Sequence, residues 1–387
     1  MNKKTNSKIK VLIAMSGGVD SSVAAALLVA RGYDVTGAFM VNYDDADMRQ
    51  DNADRCWTGD YQDALRVAAK LGIPLLRWDF IKDYKKTVLD YMYKEYRLGR
   101  TPNPDVLCNK FVKFGAWLDK AKKLGFDKIA TGHYARIGES KAYAVRGSKK
   151  TILPTTYSLL TAADSNKDQT YFLHQLNQDQ LPHILFPIGN YTKPQIRKLA
   201  KKFGLPNADK EESMGICFVG EVPMKDFLMK EIKSKKGNVV LSTGEIIGEH
   251  DGLPFYTIGQ RNLGVKTNLN KPLYVVDKKG STNELVVGYE DDKLLYKKEA
   301  EVIDVSWTDS KNGRVSKDVT RHDFVKSKFP LICEVRLRHR QPLQKVRVEE
   351  KNKKVIIRFK KPQRAVTPGQ FAVFYRNDEC LGGGVIK

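Results

Sequence analysis

The segment Ser16–Ser22 (SGGVDSS) combines the residue types that a phosphate-binding loop needs. Its two glycines allow the backbone to turn sharply and to approach a ligand closely. Ser21 or Ser22 is expected to cap the helix that follows, whose free N–H groups and positive dipole end would form an anion site. Asp20 suits such a site only if a divalent cation lies between its carboxylate and the phosphates. The alternative is a serine- and glycine-rich turn before an ordinary helix.

The surroundings of this segment favour the phosphate site. The apolar run Val11–Met15 is short enough for a central strand of a parallel sheet, and the alanine-rich run Val23–Ala30 predicts a helix. Neither the Walker pattern GxxxxGK[ST] nor the dinucleotide pattern GxGxxG is present at this position. The segment instead resembles the pyrophosphate-binding loop of enzymes that split ATP between the α and β phosphates. It therefore predicts ATP as a substrate.

A second candidate site is Asn103–Asn109 (NPDVLCN), where Asp105 precedes Cys108 by three residues near a predicted helix start. Helix N-termini lower the pKa of a thiol, and the thiolate is the reactive form. Asp105 opposes that effect electrostatically, so we assign it to hydrogen bonding or to accepting a proton from a substrate. The alternative is that Cys108 is a small buried apolar residue, as most single cysteines are.

The third candidate is Cys217, in the segment Ser213–Gly220 (SMGICFVG). Glycines on both sides of an apolar cysteine suggest a loop whose backbone moves or approaches another group closely. A core strand with a buried cysteine explains the same spacing equally well. The spacing alone leaves both interpretations open.

The five cysteines argue against a disulfide framework, because their number is odd and they are widely spaced: Cys56, Cys108, Cys217, Cys333 and Cys380. No CxxC pair is present, so a structural zinc or iron–sulfur site is not expected. Any function of sulfur in this protein must come from individual thiols.

The charge balance points to a polyanionic partner. The 387 residues include 67 Lys and Arg against 45 Asp and Glu, a formal charge of +22, and residues 301–387 carry 20 of the former against 10 of the latter. Nucleic acid is the commonest partner of such a protein, although a generally basic proteome would also explain the charge. The start of the chain lacks a signal-peptide pattern, and its apolar runs are too short to span a bilayer. We therefore expect a cytoplasmic protein with no membrane partner.

Strands alternating with helices must position the N-terminal motifs. Further strands are predicted at Val35–Val41, Leu75–Phe80 and Lys128–Thr131, with helices between them, which indicates an α/β fold with a doubly wound parallel sheet. Ligands of such sheets bind at the carboxyl ends of the strands. The phosphate loop, Met40 and Gly132-His133 should therefore share one edge of the sheet.

Short β-like runs dominate the rest of the chain, after a mixed region that ends with a helix at Lys193–Phe203. They predict a small β-rich central domain and a C-terminal β-barrel. The expected boundaries are 1–215 for the ATP-pyrophosphatase catalytic domain, 216–296 for the central domain and 297–387 for the barrel.

Further motifs follow in a fixed order along the chain: GHYARI, KDQTYFL, ESMGICFVG, YTIGQR, LRHRQ and TPGQ. Together with SGGVDSS and NPDVLCN, they make the chain similar to the tRNA-specific 2-thiouridylases, over about residues 10–386. The resemblance implies an adenine nucleotide alpha-hydrolase-like N-terminal domain. It also implies ATP-dependent formation of 2-thiouridine at the wobble position (U34) of tRNA, with AMP and pyrophosphate as the other products.

The resemblance also implies roles for individual residues. Cys217 would carry a persulfide, and Cys108 would attack it and leave a transient Cys108–Cys217 disulfide, while Asp105 would contact the target base and take its proton. Mg²⁺ would accompany ATP, with Asp20 as its candidate protein ligand. The implied ATP-binding positions are Ala14, Met15, Ser16, Gly17, Gly18, Val19, Asp20, Ser21, Met40 and Gly132. The implied tRNA-facing positions are Asn103, Pro104, Asp105, His133, Lys167, Asp168, Gln169, Arg338, His339 and Gln370.

The implied partners are the tRNAs for Lys, Glu and Gln and a cysteine desulfurase or sulfur-relay protein as persulfide donor. Taken singly, several of these residues have simpler explanations: His133 as a satisfied loop histidine, or Lys167–Gln169 as a helix cap. Rival functions are a pyrophosphate-loop ligase of the argininosuccinate or NAD synthetase kind, a tRNA lysidine synthetase, and an RNA-binding protein without turnover. The ligases leave the cysteine motifs unexplained.

Overall fold

The computed structural model describes residues 8–43, 57–140, 143–146, 149–152, 155–211, 224–261, 263–264, 271–308, 329–352 and 354–387, with only the backbone for 143–152. No helix among the described residues is long and apolar enough to cross a membrane.

The described residues contain nineteen strands, which are numbered in chain order: β1 Lys10–Ala14, β2 Asp34–Val41, β3 Leu75–Asp79, β4 Lys128–Ala130, β5 Arg136–Ser140, β6 Tyr143–Arg146, β7 Lys149–Ile152, β8 Thr156–Leu160, β9 Ile184–Leu185, β10 Gly237–Leu241, β11 Ile246–His250, β12 Tyr274–Lys279, β13 Glu284–Gly288, β14 Tyr296–Trp307, β15 Leu331–Arg336, β16 Gln344–Lys351, β17 Lys354–Arg364, β18 Phe371–Arg376 and β19 Glu379–Ile386.

The α-helices are α1 Val19–Ala30, α2 Thr58–Leu71, α3 Ile81–Tyr84, α4 Asp90–Arg97, α5 Pro104–Leu107, α6 Trp117–Lys123, α7 Thr170–Leu173, α8 Lys193–Lys202 and α9 Met224–Met229. A π-helical stretch at Lys85–Leu89 joins α3 to α4, and another at Cys108–Ala116 joins α5 to α6. Three short 3₁₀ turns lie at Leu181–His183, Leu253–Phe255 and Lys293–Leu295.

The N-terminal sheet has the strand order β3-β2-β1-β4-β9, and every pair in it is parallel. Strand β1 is buried on both faces: Leu12 packs on the side of α4 and α6, whereas Val11 and Ile13 pack on the side of α1, α2 and α8. Helices on both faces confirm the predicted doubly wound arrangement. The two-residue strand β9 was not predicted, because so short a strand leaves no periodic pattern.

The central region contains a four-stranded sheet of order β11-β10-β13-β12. Its core is formed by apolar residues from alternate strand positions, among them Val239, Val275, Leu285 and Val287. These strands overlap the short β-like runs of the sequence at Val239–Leu241, Glu245–Ile247, Leu273–Val276 and Leu285–Val287, so the predicted β-rich domain is confirmed.

The C-terminal strands close into a barrel. The order β14-β17-β16-β15-β18-β19 is completed by pairing of β19 with β14, which leaves neither of these two strands as an open edge. The predicted barrel is therefore confirmed. Strands β8 and β5, from much earlier in the chain, extend the same sheet, since Glu379 and Cys380 of β19 pair with Leu160 and Leu159 of β8. This pairing ties the barrel to the N-terminal region.

Candidate active site at the carboxyl ends of the parallel strands

Helix α1 begins earlier than the two serines predicted to cap it. Gly18, in extended conformation, is the N-cap residue, and no side chain caps the helix. The hydroxyls of Ser21 and Ser22 lie within the first turn and donate back to the Gly18 carbonyl oxygen at 3.0 and 2.9 Å. The serine-cap prediction is therefore wrong. The first N–H groups of α1 receive no side-chain acceptor, so they can bind an anion.

The turn before α1 requires a glycine at position 17. Gly17 has φ of +75°, and a Cβ there would lie 2.2 Å from the carbonyl oxygen of Asp60 at the start of α2. The Asn207 amide donates to the Gly17 carbonyl oxygen at 2.8 Å and to Ser22 Oγ at 2.9 Å. Asn207 thus stabilises the loop from a distant turn, a role for which the sequence gives no signal.

The predicted meeting of Gly132 with the loop is seen in the structure. Gly132 follows β4, and a Cβ on it would lie 2.7 Å from the Ser21 nitrogen, so this position must stay small. Ser16 is exposed, and its nitrogen donates to Ser21 Oγ at 3.2 Å. The remaining positions assigned to ATP are less accessible. Met15 and Val19 are buried on the α1 side of the sheet, and Met40 is buried in the core of the opposite side.

Two residues that the sequence analysis missed bind the carboxylate of Asp20. Lys193 Nζ donates to both oxygens at 2.8 and 2.9 Å, and the Tyr134 hydroxyl donates to Oδ1 at 2.9 Å. Lys193 is the first residue of α8, whose start is fixed by a capping box of Thr192 and Gln195. Lys193 neutralises the Asp20 carboxylate, so this acidic side chain does not oppose the binding of an anion at the uncapped helix N-terminus.

These residues fit the phosphates of ATP, because open helix amides and a lysine are the groups that bind phosphate oxygens. They also fit Mg²⁺, provided that Asp20 shares its carboxylate between the ion and Lys193. No group of three or more His, Cys, Asp or Glu that could hold a metal occurs among the described residues. A magnesium ion here would thus take most of its ligands from the phosphates and water.

The Cys108 segment lies where the sequence predicts it, at the start of a helix. Asn103 Oδ1 accepts a hydrogen bond from the Val106 nitrogen at 3.3 Å, and Pro104 occupies the first turn. Asp105 is half-buried in that turn, and Cys108 lies one turn further on and is 1% exposed. The next residue, Asn109, donates to the Phe172 carbonyl oxygen at 3.2 Å. The helix thereby packs against the segment that follows Lys167–Gln169.

His133 is a buried, neutral histidine. Its Nδ1 lies 2.6 Å from Thr131 Oγ1, and its ring packs against the rings of Phe114 and Phe186. Burial, with the nearby positive charge of Lys113, holds the pKa of His133 well below its usual range. Phe114 belongs to the Cys108 helix, so His133 connects that helix with Gly132. At neutral pH the His133 ring therefore carries no positive charge.

The Lys167–Gln169 segment is fixed by contacts within the protein. Asp168 is 3% exposed, and its carboxylate accepts hydrogen bonds from the Ala162 nitrogen at 3.1 Å, from Thr170 Oγ1 at 2.8 Å and from Arg336 Nη1 of β15 at 3.2 Å. The Gln169 side chain accepts from the Tyr134 nitrogen at 2.9 Å. This segment thus links the barrel to Tyr134, which binds Asp20.

The C-terminal residues assigned to tRNA also contact the protein itself. Arg338 donates to the carbonyl oxygens of Ile258 at 2.7 Å and Ala365 at 3.3 Å, and burial lowers its pKa. His339 Nε2 lies 3.1 Å from the Asp168 carbonyl oxygen and therefore carries the ring proton, and burial lowers the pKa of His339 too. The amide of Gln370 donates to the backbone that leads into the Cys108 helix.

Comparison with known proteins identifies the family. The proteins named tRNA-specific 2-thiouridylase MnmA from Streptococcus mutans and Streptococcus sanguinis are each 44% identical to this chain, and each alignment covers 98% of this chain and 96% of the relative. This chain belongs to the tRNA-specific 2-thiouridylase family. Family models match residues 9–221 (tRNA methyl transferase HUP domain), 225–289 (tRNA methyl transferase PRC-barrel domain) and 298–386 (Aminomethyltransferase beta-barrel domain).

Among solved structures, an NMN synthetase from Francisella tularensis aligns with 59% of this chain and 80% of its own, at 18% identity and a TM-score of 0.30. The full-length sequence relatives are the proteins that show the family. Their alignments span the phosphate loop, both cysteine motifs and the barrel.

The remaining cysteines divide into two groups. Two of them, Cys56 and Cys217, lie outside the described residues, as does the whole segment Ser213–Gly220. Cys333 and Cys380 are buried in the barrel, where burial raises the pKa of Cys333 to about 12 and the pKa of Cys380 further. These two thiols stay protonated at neutral pH, and a protonated thiol is a poor nucleophile.

Proposed function

We propose that this chain converts the wobble uridine (U34) of tRNA into 2-thiouridine, with ATP, Mg²⁺ and a persulfide sulfur donor as co-reactants. The observation that carries the proposal is the full-length likeness to 2-thiouridylases from two streptococci, at 44% identity over 98% of this chain. The uncapped start of α1 beside Lys193 supports the use of ATP. The basic composition supports a nucleic acid substrate.

The first step makes the C2 oxygen of uridine replaceable. That oxygen attacks the α phosphorus of ATP, an O–P bond forms, and the bond to the bridging oxygen breaks so that pyrophosphate leaves. The residues from Ser16 to Ser21, with Lys193, would hold the departing phosphates by helix amides and positive charge. Asp105, in the turn before Cys108, would accept the N3 proton of the base. The product is uridine activated as an adenylate at O2.

The second step delivers sulfur. The terminal sulfur of a Cys217 persulfide attacks C2, and AMP leaves with the former O2. The Cys108 thiolate then attacks Cys217 Sγ, the persulfide S–S bond breaks, and its electrons form the C=S bond of 2-thiouridine. The two thiols lose two electrons in forming the Cys108–Cys217 disulfide, so a reductant and a fresh persulfide donor must reset the enzyme. Cys108 directly follows the helix Pro104–Leu107 and is 1% exposed, so its reaction with Cys217 requires the thiol to become accessible.

The partners are proposed from the likeness to the 2-thiouridylases. The tRNAs for Lys, Glu and Gln are the proposed substrates, and a cysteine desulfurase or sulfur-relay protein is the proposed donor. We expect the reaction in the cytoplasm, where tRNA serves translation. The wobble base lies in a single-stranded loop, where it can be splayed out into a pocket. The residues from Asn103 to Asp105, His133 and the segment Lys167–Gln169 remain the predicted tRNA-facing positions, together with Arg338, His339 and Gln370.

The test is an assay with purified protein, unmodified tRNA, ATP, Mg²⁺ and a persulfide donor, in which nucleosides are analysed by mass spectrometry and AMP and pyrophosphate are quantified. Wild type should yield 2-thiouridine, AMP and pyrophosphate, whereas C217S should still adenylate the tRNA and release pyrophosphate but form no 2-thiouridine. ATP and tRNA binding without turnover would instead favour an RNA-binding protein. AMP release stimulated by a small amine but not by tRNA would favour a small-molecule ligase.

A further inference from the structure

The loop that enters the Cys108 helix is bound by a turn of the barrel. The Thr101 nitrogen donates to the Pro368 carbonyl oxygen at 2.9 Å. The Gln370 amide nitrogen donates to the carbonyl oxygens of Thr101 at 3.0 Å and Pro102 at 3.4 Å. We call the two segments, Thr101–Pro102 and Pro368–Gln370, the clasp. Its hydrogen bonds join Gln370 to Thr101 and Pro102, which lie 269 and 268 positions earlier in the chain.

The clasp is tightly packed. Gly369 has φ of +91°, and a Cβ on it would lie 3.0 Å from three backbone atoms of Thr101, so only glycine fits without displacement. Thr101 is 8% exposed, and its hydroxyl lies 3.1 Å from that of Thr257 in the central region. All three parts of the chain therefore meet at Thr101.

The barrel side of the clasp is itself fixed. The Gly369 nitrogen donates to the Ile386 carbonyl oxygen at 2.8 Å, and the Ile386 nitrogen donates to the Gln370 carbonyl oxygen at 2.8 Å. The buried Tyr171 hydroxyl donates to the Phe371 carbonyl oxygen at 3.1 Å and lies 3.5 Å from Gln370 Oε1. The turn that carries Gln370 is thus held to β19 and to α7.

We propose that Gln370 is a positioning residue for the segment Asn103–Cys108. Its amide nitrogen donates to the two carbonyl oxygens immediately before Asn103, which is the N-cap of the helix that leads to Cys108. Pro102 and Pro104 stiffen this connection, so a shift of Thr101 is transmitted to the helix start rather than absorbed. This inference rests on the proposed function, because it assigns Gln370 an effect on the rate at which Asp105 and Cys108 act.

This role is additional to the RNA contact that the sequence motif predicts for the same residue. A contact to tRNA contributes to affinity, whereas a positioning residue contributes to the rate after binding. Replacement of the amide by the Q370E carboxylate would place an oxygen acceptor against two carbonyl oxygens. This variant should therefore open the clasp more than Q370A does.

The experiment compares wild type with Q370A, Q370E and G369A. In G369A the added Cβ pushes the two segments of the clasp apart, while the Gln370 side chain is retained. The control is Q344A, because the Gln344 amide donates to the Pro342 carbonyl oxygen within the barrel and does not reach the clasp. Each variant is first shown to be folded by its thermal unfolding midpoint. Hydrogen exchange of residues 101–109, the Kd for tRNA at one salt concentration and the single-turnover rate of 2-thiouridine formation are then measured.

We expect Q370A, Q370E and G369A to speed hydrogen exchange in residues 101–109. They should also lower the single-turnover rate by about tenfold or more, which is the effect expected when one to two net hydrogen bonds that hold the helix start are lost. The Kd for tRNA should stay within about twofold of wild type in G369A, which keeps the Gln370 side chain. Unchanged exchange in all three variants, with a weaker Kd in Q370A and Q370E as the only effect, would overturn the proposal and leave Gln370 as an RNA contact alone. A variant too unstable to purify is replaced by the other two. If wild type itself makes no 2-thiouridine, the proposed function fails, while exchange still tests the clasp.

Discussion

Lys193 Nζ lies 2.8 and 2.9 Å from the two carboxylate oxygens of Asp20, in the first turn of the helix that follows the phosphate loop. The two residues are 173 positions apart, and the lysine is 13% exposed. The pair places a positive charge next to the open amides of α1 and balances the only acidic side chain of the Ser16–Ser22 segment. The Lys193 ammonium group is therefore already in position to contact an incoming triphosphate.

Replacement of Lys193 should weaken ATP binding. We expect K193M to raise the Kd for ATP about tenfold, the effect of losing one charge-assisted hydrogen bond of roughly 1.5 kcal/mol. Isothermal titration calorimetry at fixed Mg²⁺ and without tRNA measures this directly. K201M is the matched control, because Lys201 lies on the same helix and pairs at 2.9 Å with the exposed Asp209. Wild-type affinity in K193M would remove Lys193 from the phosphate site.

The buried pair of Asp168 and Arg336 should contribute strongly to stability. Arg336 Nε has no hydrogen-bond partner among the described residues, so its charge depends on the Asp168 carboxylate at 3.2 Å. We expect D168N to cost about 3 kcal/mol and to lower the thermal unfolding midpoint by about 5 °C.

The control for this prediction is D378N. Asp378 pairs with Arg136 at the same distance of 3.2 Å, but its side chain is 57% exposed, so the effect on the midpoint should be under about 1 °C. Equal shifts in the two variants would contradict the structural role given to Asp168.

The buried His174 should make the protein sensitive to acid. Its Nδ1 lies 2.7 Å from the Tyr171 carbonyl oxygen and so carries a proton in the neutral ring, and burial lowers the pKa to about 4. The His174 ring binds a proton near pH 6.5 in the unfolded chain but not in the folded protein. The free energy of unfolding is therefore about 3 kcal/mol larger above pH 6.5 than near pH 4 because of this residue. That contribution is lost as the pH falls from 6.5 towards 4.

The measurement is the unfolding midpoint between pH 4 and 8 for wild type and H174Q. The midpoint of wild type should fall more steeply below pH 6.5 than that of H174Q, whatever the constant offset between them. Parallel curves would show that His174 gains a proton in the folded protein as easily as in the unfolded one.

The sequence predicts the parallel sheet and the edge that carries the loop because both depend on local patterns: apolar runs of strand length and glycines at the turn. The prediction of a serine cap on α1 was wrong because the helix begins at Val19, two residues before Ser21. The boundaries of a helix depend on packing as well as on residue type. Lys193, Tyr134 and Asn207 were missed because each reaches the loop from more than 110 positions away.

The connection between the barrel and the N-terminal region also could not be predicted from local patterns. Strands β5 and β8 join the sheet of β19 through pairs such as Leu160 with Glu379, which no local pattern encodes. Gln370 was recognised from its motif, but its contact with Thr101 depends on the docking of the barrel. Periodicity predicts the elements, whereas the contacts that fix the site come from tertiary packing.

The proposed mechanism requires that Cys108 and Cys217 react with each other during every turnover. The most direct measurement is peptide mass spectrometry after a single turnover without reductant, with enzyme preloaded with persulfide, tRNA and ATP, and with 2-thiouridine counted in the same sample. We predict about one Cys108–Cys217 disulfide for each 2-thiouridine formed, and none when ATP is omitted. Normal formation of 2-thiouridine with both thiols still unpaired, or in the C108S variant, would contradict the account.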